Sequence, residues 1–406
     1  MKKLFTKMKT ACLITGFILF FANALRAQDA QQQKTMEIYG FVQTDAGYDF
    51  NQINPNWFDV VRPTQLPSFT NQYGTNGNTY FSVRQTRLGF KNWFTTPLGE
   101  LKTTFEFELF GTGVDAGQTT FRLRHAYGEL GKFGVGQYWS PFMDIDVFPN
   151  SLEYWGPSGM AFFRNIQIRY MPIQGDTKLT FALERPGASA DGGVYADRIE
   201  LQNVKARFPL PDFSAEYRYG QKWGYLELAG ILRDIQWEDQ NNDQYDLSGG
   251  ATGWGLNFST NLHLGKNDIF RGSYLYGEGI ENYMNDAPVD IGIKNDLSNT
   301  VSPVKGVALP VQGIVAFLDH TWSPKFTTSL GYSQVKITNS NAQLPSDFRQ
   351  GNYALVNLLY YPVKNMMAGV EYEWGDRHNY TDGFTSKISK IQFTFRYNYS
   401  QAFYKK

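Results

Sequence analysis

The sequence predicts an all-β fold: a transmembrane antiparallel β-barrel of about 16 strands with an inward-folded third loop. Three observations predict it. Long runs alternate apolar and polar residues, connections alternate between tight and long, and aromatic residues stand where strands would meet a membrane surface. The stretch "LKTTFEFELFG", residues 101–111, shows the first. Leu101, Phe105, Phe107 and Leu109 fall on one parity, and Lys102, Thr104, Glu106 and Glu108 on the other. A strand sends alternate side chains to opposite faces, so one face would be apolar and the other would carry two glutamates. Lipid outside and a wet lumen inside suit both faces, because a solvated interior spares the charges their desolvation cost. Closing the sheet also leaves no unpaired edge in lipid.

At the N-terminus, Lys2, Lys3, Lys7 and Lys9 precede an apolar run from Ala11 to Phe21, and Ala22-Asn23-Ala24 fits a small-residue cleavage pattern. This predicts a signal peptide over 1–24, with Ala27 as a second cleavage point. A short Gln-rich segment, 25–36, and a barrel domain, 37–406, would follow. The sole cysteine, Cys12, lies in the signal, so the mature chain would have no disulfide and no thiolate metal site or nucleophile. A formal net charge of zero over the 406 residues supplies no field to attract nucleic acid.

The strands then follow in order. In "YFSVRQTRLGFK", Phe81 and Val83 hold one parity and Leu88 and Phe90 the other. A bulge near Gln85-Thr86 would turn both halves to lipid and aim Arg84, Arg87 and Lys91 inward. In "TTFRLRHAYGEL", Phe121, Leu123 and Tyr127 would face lipid, and Arg122 and Arg124 the lumen. In "NIQIRY", Ile166, Ile168 and Tyr170 would face lipid and Arg169 the lumen, while Arg164, of the wrong parity, would lie above the apolar band. The runs "FSAEYRYG", "TGWGLNFSTNLHL", "MMAGVEYEW" and "KIQFTFRYNY" repeat the alternation. Such runs are roughly nine to eleven residues long, the length of a tilted strand crossing a bilayer, whereas ordinary strands have about five or six.

Tight turns are expected near 95–99, 131–132, 172–176, 221–222, 266–268, 323–325 and 362–365. Long loops rich in Gly, Asn, Asp and Pro cover about 50–78, 112–118, 141–161, 186–211, 239–250, 281–309, 339–350 and 376–386. One rim of turns and one of loops is the outer-membrane pattern. Trp93, Phe94, Tyr170, Trp223, Trp322, Phe326, Tyr361 and Tyr399 would form the aromatic girdles.

Function would reside in the lumen. Arg84, Arg87, Arg122, Arg124 and Arg169 would form a basic cluster, with Glu106 and Glu108 on the strand between, and such a lining sorts solutes by charge. Cross-strand pairing that merely stiffens the wall is the alternative. The segment 140–160, with three prolines, four aromatics, Asp144, Asp146 and Glu153, is too apolar for a solvated outer loop and would fold into the barrel to narrow it. None of the four histidines has a metal-ligand spacing and no G-x-S-x-G occurs, so no catalytic residue, metal or cofactor is expected. A Ser/His hydrolase built on His263 is the remote alternative.

The stretches "YGFVQTDAGYDF", "RQTRLGFKNW", "LKTTFEFELFG", "FRLRHAYGEL" and "GVGQYWSPFMDIDVFPNSLEYWGP" resemble the DcaP-like porins and, more loosely, the general trimeric porins. The resemblance covers about 37–170 by motif and the rest by hairpin layout. It implies a trimeric barrel whose third loop constricts each pore. Arg84, Arg87, Arg122 and Arg124 would then be the wall side of the constriction, and Asp144, Asp146 and Glu153 its loop side. It also implies uptake of anionic solutes such as dicarboxylates. The helical coiled-coil extension carried by some members has no counterpart in "QDAQQQKTM". The expected function is therefore a Gram-negative outer-membrane porin, in contact with outer-membrane lipid and lipopolysaccharide. It would pass small hydrophilic solutes with weak anion preference. A substrate-specific channel and a non-conducting, surface-binding barrel are the alternatives.

Overall fold

A computed structural model describes residues 33–405. The expected signal peptide lies outside the described residues, as does most of 25–36. Twenty strands follow: β1 (Lys34–Asp49), β2 (Asn78–Ser82), β3 (Arg87–Thr96), β4 (Gly99–Phe110), β5 (Thr119–Leu130), β6 (Phe133–Trp139), β7 (Arg164–Ile173), β8 (Lys178–Glu184), β9 (Val204–Arg207), β10 (Asp212–Gln221), β11 (Gly224–Asp239), β12 (Gly249–His263), β13 (Asp268–Glu278), β14 (Ile291–Asn295), β15 (Val304–Ala308), β16 (Pro310–Ser323), β17 (Phe326–Ile337), β18 (Phe348–Tyr360), β19 (Met366–Asn379) and β20 (Thr385–Tyr404). The strands β2 and β3 are two halves of one interrupted strand, because both pair with β1. The short β9 adds to the loop end of β11, and β14–β15 form a separate hairpin. Sixteen wall strands remain, all antiparallel to their neighbours, and β1 pairs with β20 to close the ring.

Burial is inverted relative to a water-soluble protein. Phe81, Phe105, Phe121, Ile168, Leu228, Phe258, Val356 and Phe393 are exposed, whereas Glu106, Glu108, Glu227, Ser259, Asn357, Glu371 and Gln392 are buried. A wall whose apolar residues point out and polar residues point in belongs in a bilayer. No helix among the described residues is long and apolar enough to cross one, and strands do the crossing instead.

The hairpin turns fall where the sequence places them, and Gly131 at φ 60° and Gly265 at φ 86° supply conformations that side chains resist. Three features differ. The expected bulge at Gln85-Thr86 is a full interruption, with the Thr86 amide bonded back to the Val83 carbonyl at 3.0 Å. The last outer loop shrinks to 380–384, because β19 runs on to Asn379. The third is a phase shift in β5. Glu106 faces His125, while Phe107 faces Leu123, so Arg124 is the extra residue of a bulge. His125 and Tyr127 consequently turn inward. Tyr127, expected against lipid, is buried, and its hydroxyl lies where a side chain on Gly134 would be.

The lumen is partly filled by loops. Phe142, Met143, Ile280, Tyr283, Met284 and Leu309 pack against inward residues of β11, β13, β16, β17 and β18. Ile53, Val61, Leu66, Val147 and Met160 pack against β16, β18 and β20. The segment 140–163 is tied to wall side chains around much of the ring. Ser140 donates to Glu184 at 2.7 Å, Asn257 to the Phe142 carbonyl at 3.0 Å, and the Gly159 amide to Ser333 at 2.8 Å. The Leu152 and Glu153 amides both donate to Glu371, at 2.9 and 2.8 Å. Apolar loop filling on the β11–β20 side leaves open space beside β1–β7.

Candidate functional site

That open space consists of two cavities. One, of about 520 Å³, is lined by Tyr39, Lys91, Thr104, Glu106, Trp139 and Arg396 among others, toward the rim of tight turns. The other, of about 750 Å³, is lined by Trp57, Arg62, Arg122, Arg164, Glu281 and Asn285 among others, toward the long loops. Their linings share Tyr154 and Phe162. In outer-membrane barrels the tight turns face the periplasm and the long loops the outside. Tyr154 and Phe162 therefore stand between the two cavities.

Charged side chains concentrate at this junction, and alternation in β3, β4 and β5 puts them there. Arg124 bonds Glu106 at 2.6 Å and Glu108 at 2.5 Å. Arg87 lies 3.7 Å from Glu106 and 3.4 Å from Glu108. Arg122 and Arg164 approach Glu108 at 3.6 and 3.8 Å. The Tyr154 hydroxyl donates to Glu108, and Arg124 and Arg122 reach that hydroxyl at 3.3 and 3.5 Å. Tyr154 is held flat by Phe110, with centroids 3.9 Å apart and planes 8° from parallel. Four guanidinium groups thus surround two carboxylates, an excess of two positive charges beside the passage. The carboxylates are sunk behind their partners, while Arg87 and Arg122 keep 25% and 30% of their side chains open to the lumen.

Of the residues marked from sequence, Arg87, Arg122, Arg124, Glu106 and Glu108 come together. The others do not. Arg84 is buried against the first loop, pairing with Asp59 at 2.6 Å and lying 3.8 Å from the Phe110 ring. Arg169 bonds Gln167 and stacks near Tyr127 and Tyr138, away from the carboxylates. Asp144 and Asp146 turn to the opposite wall. There Arg218 takes them at 2.6 and 2.5 Å, and Tyr225 and Ser259 also donate to Asp144. Glu153 faces neither group of arginines. It accepts from the Val61 amide at 3.0 Å, from the Gly156 amide and from the Tyr353 hydroxyl, and burial pushes its carboxyl up to about 7. These three acids anchor the loop, so the loop side of the passage is aromatic.

Arg164 is the residue that parity missed. It sits at the first position of β7 opposite Trp139, where the strand emerges from the loop, and its guanidinium packs 4.9 Å from the Trp139 ring. Arg62 gave no periodic signal either, because it lies in the first loop. Its guanidinium is sandwiched 4.1 Å from Trp57 and 4.0 Å from Trp155, and Asp286 pairs with it at 2.9 Å. Behind the loops, Asp49, Lys390 and Glu373 are cross-strand neighbours, all fully buried, with Lys390 3.8 Å from Glu373. Among the described residues no cluster of side chains has the makeup of a metal site.

A family profile described as the DcaP outer membrane protein matches residues 21–399. Among solved structures, the chain is similar to the outer membrane channel DcaP of Acinetobacter baumannii. The two are 19% identical with a TM-score of 0.74, over 90% of this chain and 98% of that one. It is also similar to an anion-selective porin from Comamonas acidovorans, 11% identical with a TM-score of 0.58, over 90% and 100% of the two chains. Salmonella typhi OmpF, solved with daunomycin, is 13% identical with a TM-score of 0.54, over 90% and 98%. No protein with a curated description matches the chain.

Proposed function

The chain belongs to the DcaP outer membrane protein family, and from that premise we propose that this outer-membrane channel is a passive, weakly anion-preferring porin for small hydrophilic solutes, dicarboxylates among them. It works as a homotrimer set in outer-membrane lipid and lipopolysaccharide, reaches the membrane by way of the 1–24 signal, and performs no chemistry. One observation carries the reading: Arg87, Arg122, Arg124 and Arg164 outnumber Glu106 and Glu108 where the two cavities meet. The open guanidiniums of Arg87 in the inner cavity and Arg122 in the outer one also offer a carboxylate solute successive partners. In a wet lumen the excess is worth about 1 kcal/mol to a passing anion, or roughly a fivefold permeability ratio. Reversal potential across a planar bilayer under a salt gradient tests it. A modest anion-selective potential is expected, and cation selectivity or absent conductance would refute it.

A further inference from the structure

Four neighbouring wall strands, β17 to β20, carry a feature on the outside of the barrel that passive diffusion leaves unused. Their register lays the outward residues in rows. Leu330, Val356, Tyr372 and Ile391 form an apolar row, and Tyr332 and Trp374 belong to the next. The following two rows, nearest the long loops, are polar: Gln334, Asn352, Asp376 and Lys387, then Lys336, Gln350, His378 and Thr385. Aromatic residues mark a membrane interface, so the two polar rows reach the headgroups of the outer leaflet. Their charge is mostly positive. Lys336, Lys387 and Arg349, the extra residue where the β18 register shifts, are exposed, and none of them is ion-paired among the described residues. The acid between them, Asp376, is already occupied: the Asn352 amide donates to it at 2.7 Å, and His378 lies 3.4 Å away. An open cavity of about 540 Å³ is lined by Arg349, Gln350, His378, Tyr380, Phe384 and Thr385. Gln350, His378 and Thr385 share one outward row, so this cavity opens on the lipid-facing side and not into the lumen.

We propose that this face binds the phosphorylated sugar headgroup of lipopolysaccharide, with Arg349, Lys336 and Lys387 receiving phosphate and the cavity receiving sugar. Place decides the occupant. An outward surface at headgroup height meets lipid, and cations there attract lipid phosphate. An arginine fork matches phosphate oxygens, and the lysines add point charges. Gln350, Tyr380 and Thr385 offer hydrogen bonds to sugar hydroxyls. The site rests on the outer-membrane reading and adds to it one preferred lipid at one stretch of wall.

Four probes separate the sources of phosphate: bisphosphorylated lipid A, lipid A stripped of its phosphates, phosphatidylglycerol and inorganic phosphate. Each is titrated against the purified full-length protein in detergent, and the bound fraction is read by native mass spectrometry. Bisphosphorylated lipid A should bind most tightly. A cation near a lipid phosphate is worth roughly fivefold, so the double variant Arg349→Gln, Lys387→Gln should weaken that binding about 25-fold. It should leave the stripped lipid unaffected. Both side chains are exposed, so the variant keeps its fold. Equal binding of the stripped lipid, of phosphatidylglycerol or of inorganic phosphate would overturn the site, as would a double variant that binds like wild type. Lipid binding is read without current. A protein that conducts but shows no preference for bisphosphorylated lipid A therefore refutes the site alone, and one that shows the preference without conducting keeps the site and loses the channel.

Discussion

The hydroxyl of Tyr154 is hydrogen-bonded to the carboxylate of Glu108, joining the third loop to the barrel wall at the point where the two cavities meet. Tyr154 shares the boundary of the cavities with Phe162, and Glu108 and the Phe110 ring together hold it in place.

Tyr154→Ala should widen the passage and raise single-channel conductance roughly twofold, since a narrow constriction dominates the resistance of a pore. Tyr154→Phe keeps the ring stacked on Phe110 but frees it from Glu108, so it should leave mean conductance near wild type and add rapid current noise. Single-channel recording in planar bilayers distinguishes the two.

Selectivity should follow the balance of charge. Arg164→Gln removes one of the two excess positive charges and should bring the reversal potential about half-way to zero. Glu108→Gln moves it the other way, toward stronger anion selectivity. The second change also leaves several guanidiniums without their shared partner, and a loss of about 3–5 kcal/mol is expected for breaking such a buried group. The temperature at which the barrel unfolds in detergent should fall accordingly.

Arg84 is a clasp for the first loop. Its removal in Arg84→Ala leaves Asp59 buried with only the Ser82 hydroxyl, at 2.7 Å. Loop 50–77 should then loosen, read as faster protease cleavage within it, while the reversal potential stays near wild type.

Glu153 makes the third loop sensitive to pH. Burial disfavours its ionised form and raises its pKa from 4.5 to about 7. Folding is thus favoured most where the group is protonated, and this support is lost as pH rises from about 4.5 through 7. Lys390 and the Val61 and Gly156 amides oppose that shift, and Glu371 adds to it. Current fluctuations should grow between pH 5 and pH 8, by about twofold, and Glu153→Gln should abolish the trend.

The wall was readable from sequence because lipid and water impose a strict period of two on every strand. Phe105 against Glu106 needs no tertiary knowledge, and even the interruption at Gln85-Thr86 announced itself by the switch from Phe81 and Val83 to Leu88 and Phe90. The bulge at Arg124 did not, because Ala126 and Gly128 are too small to mark which side they face. Arg164 escaped for a related reason: alternation carries information only within a strand, and this residue sits at its end. The loop acids escaped more completely. Asp144 found Arg218 across 74 residues of chain, and Arg62 found Asp286 across 224. No local pattern encodes such pairs.

The pairing of β1 with β20 has a bearing on biogenesis. The first and the last wall strands are mates from Lys34–Tyr404 to Asp49–Lys390, so the ring is a bracelet whose catch is made after every other wall strand. A polypeptide without β20 would be a ribbon with two raw margins, fit for the proteases of the periplasm and for little else.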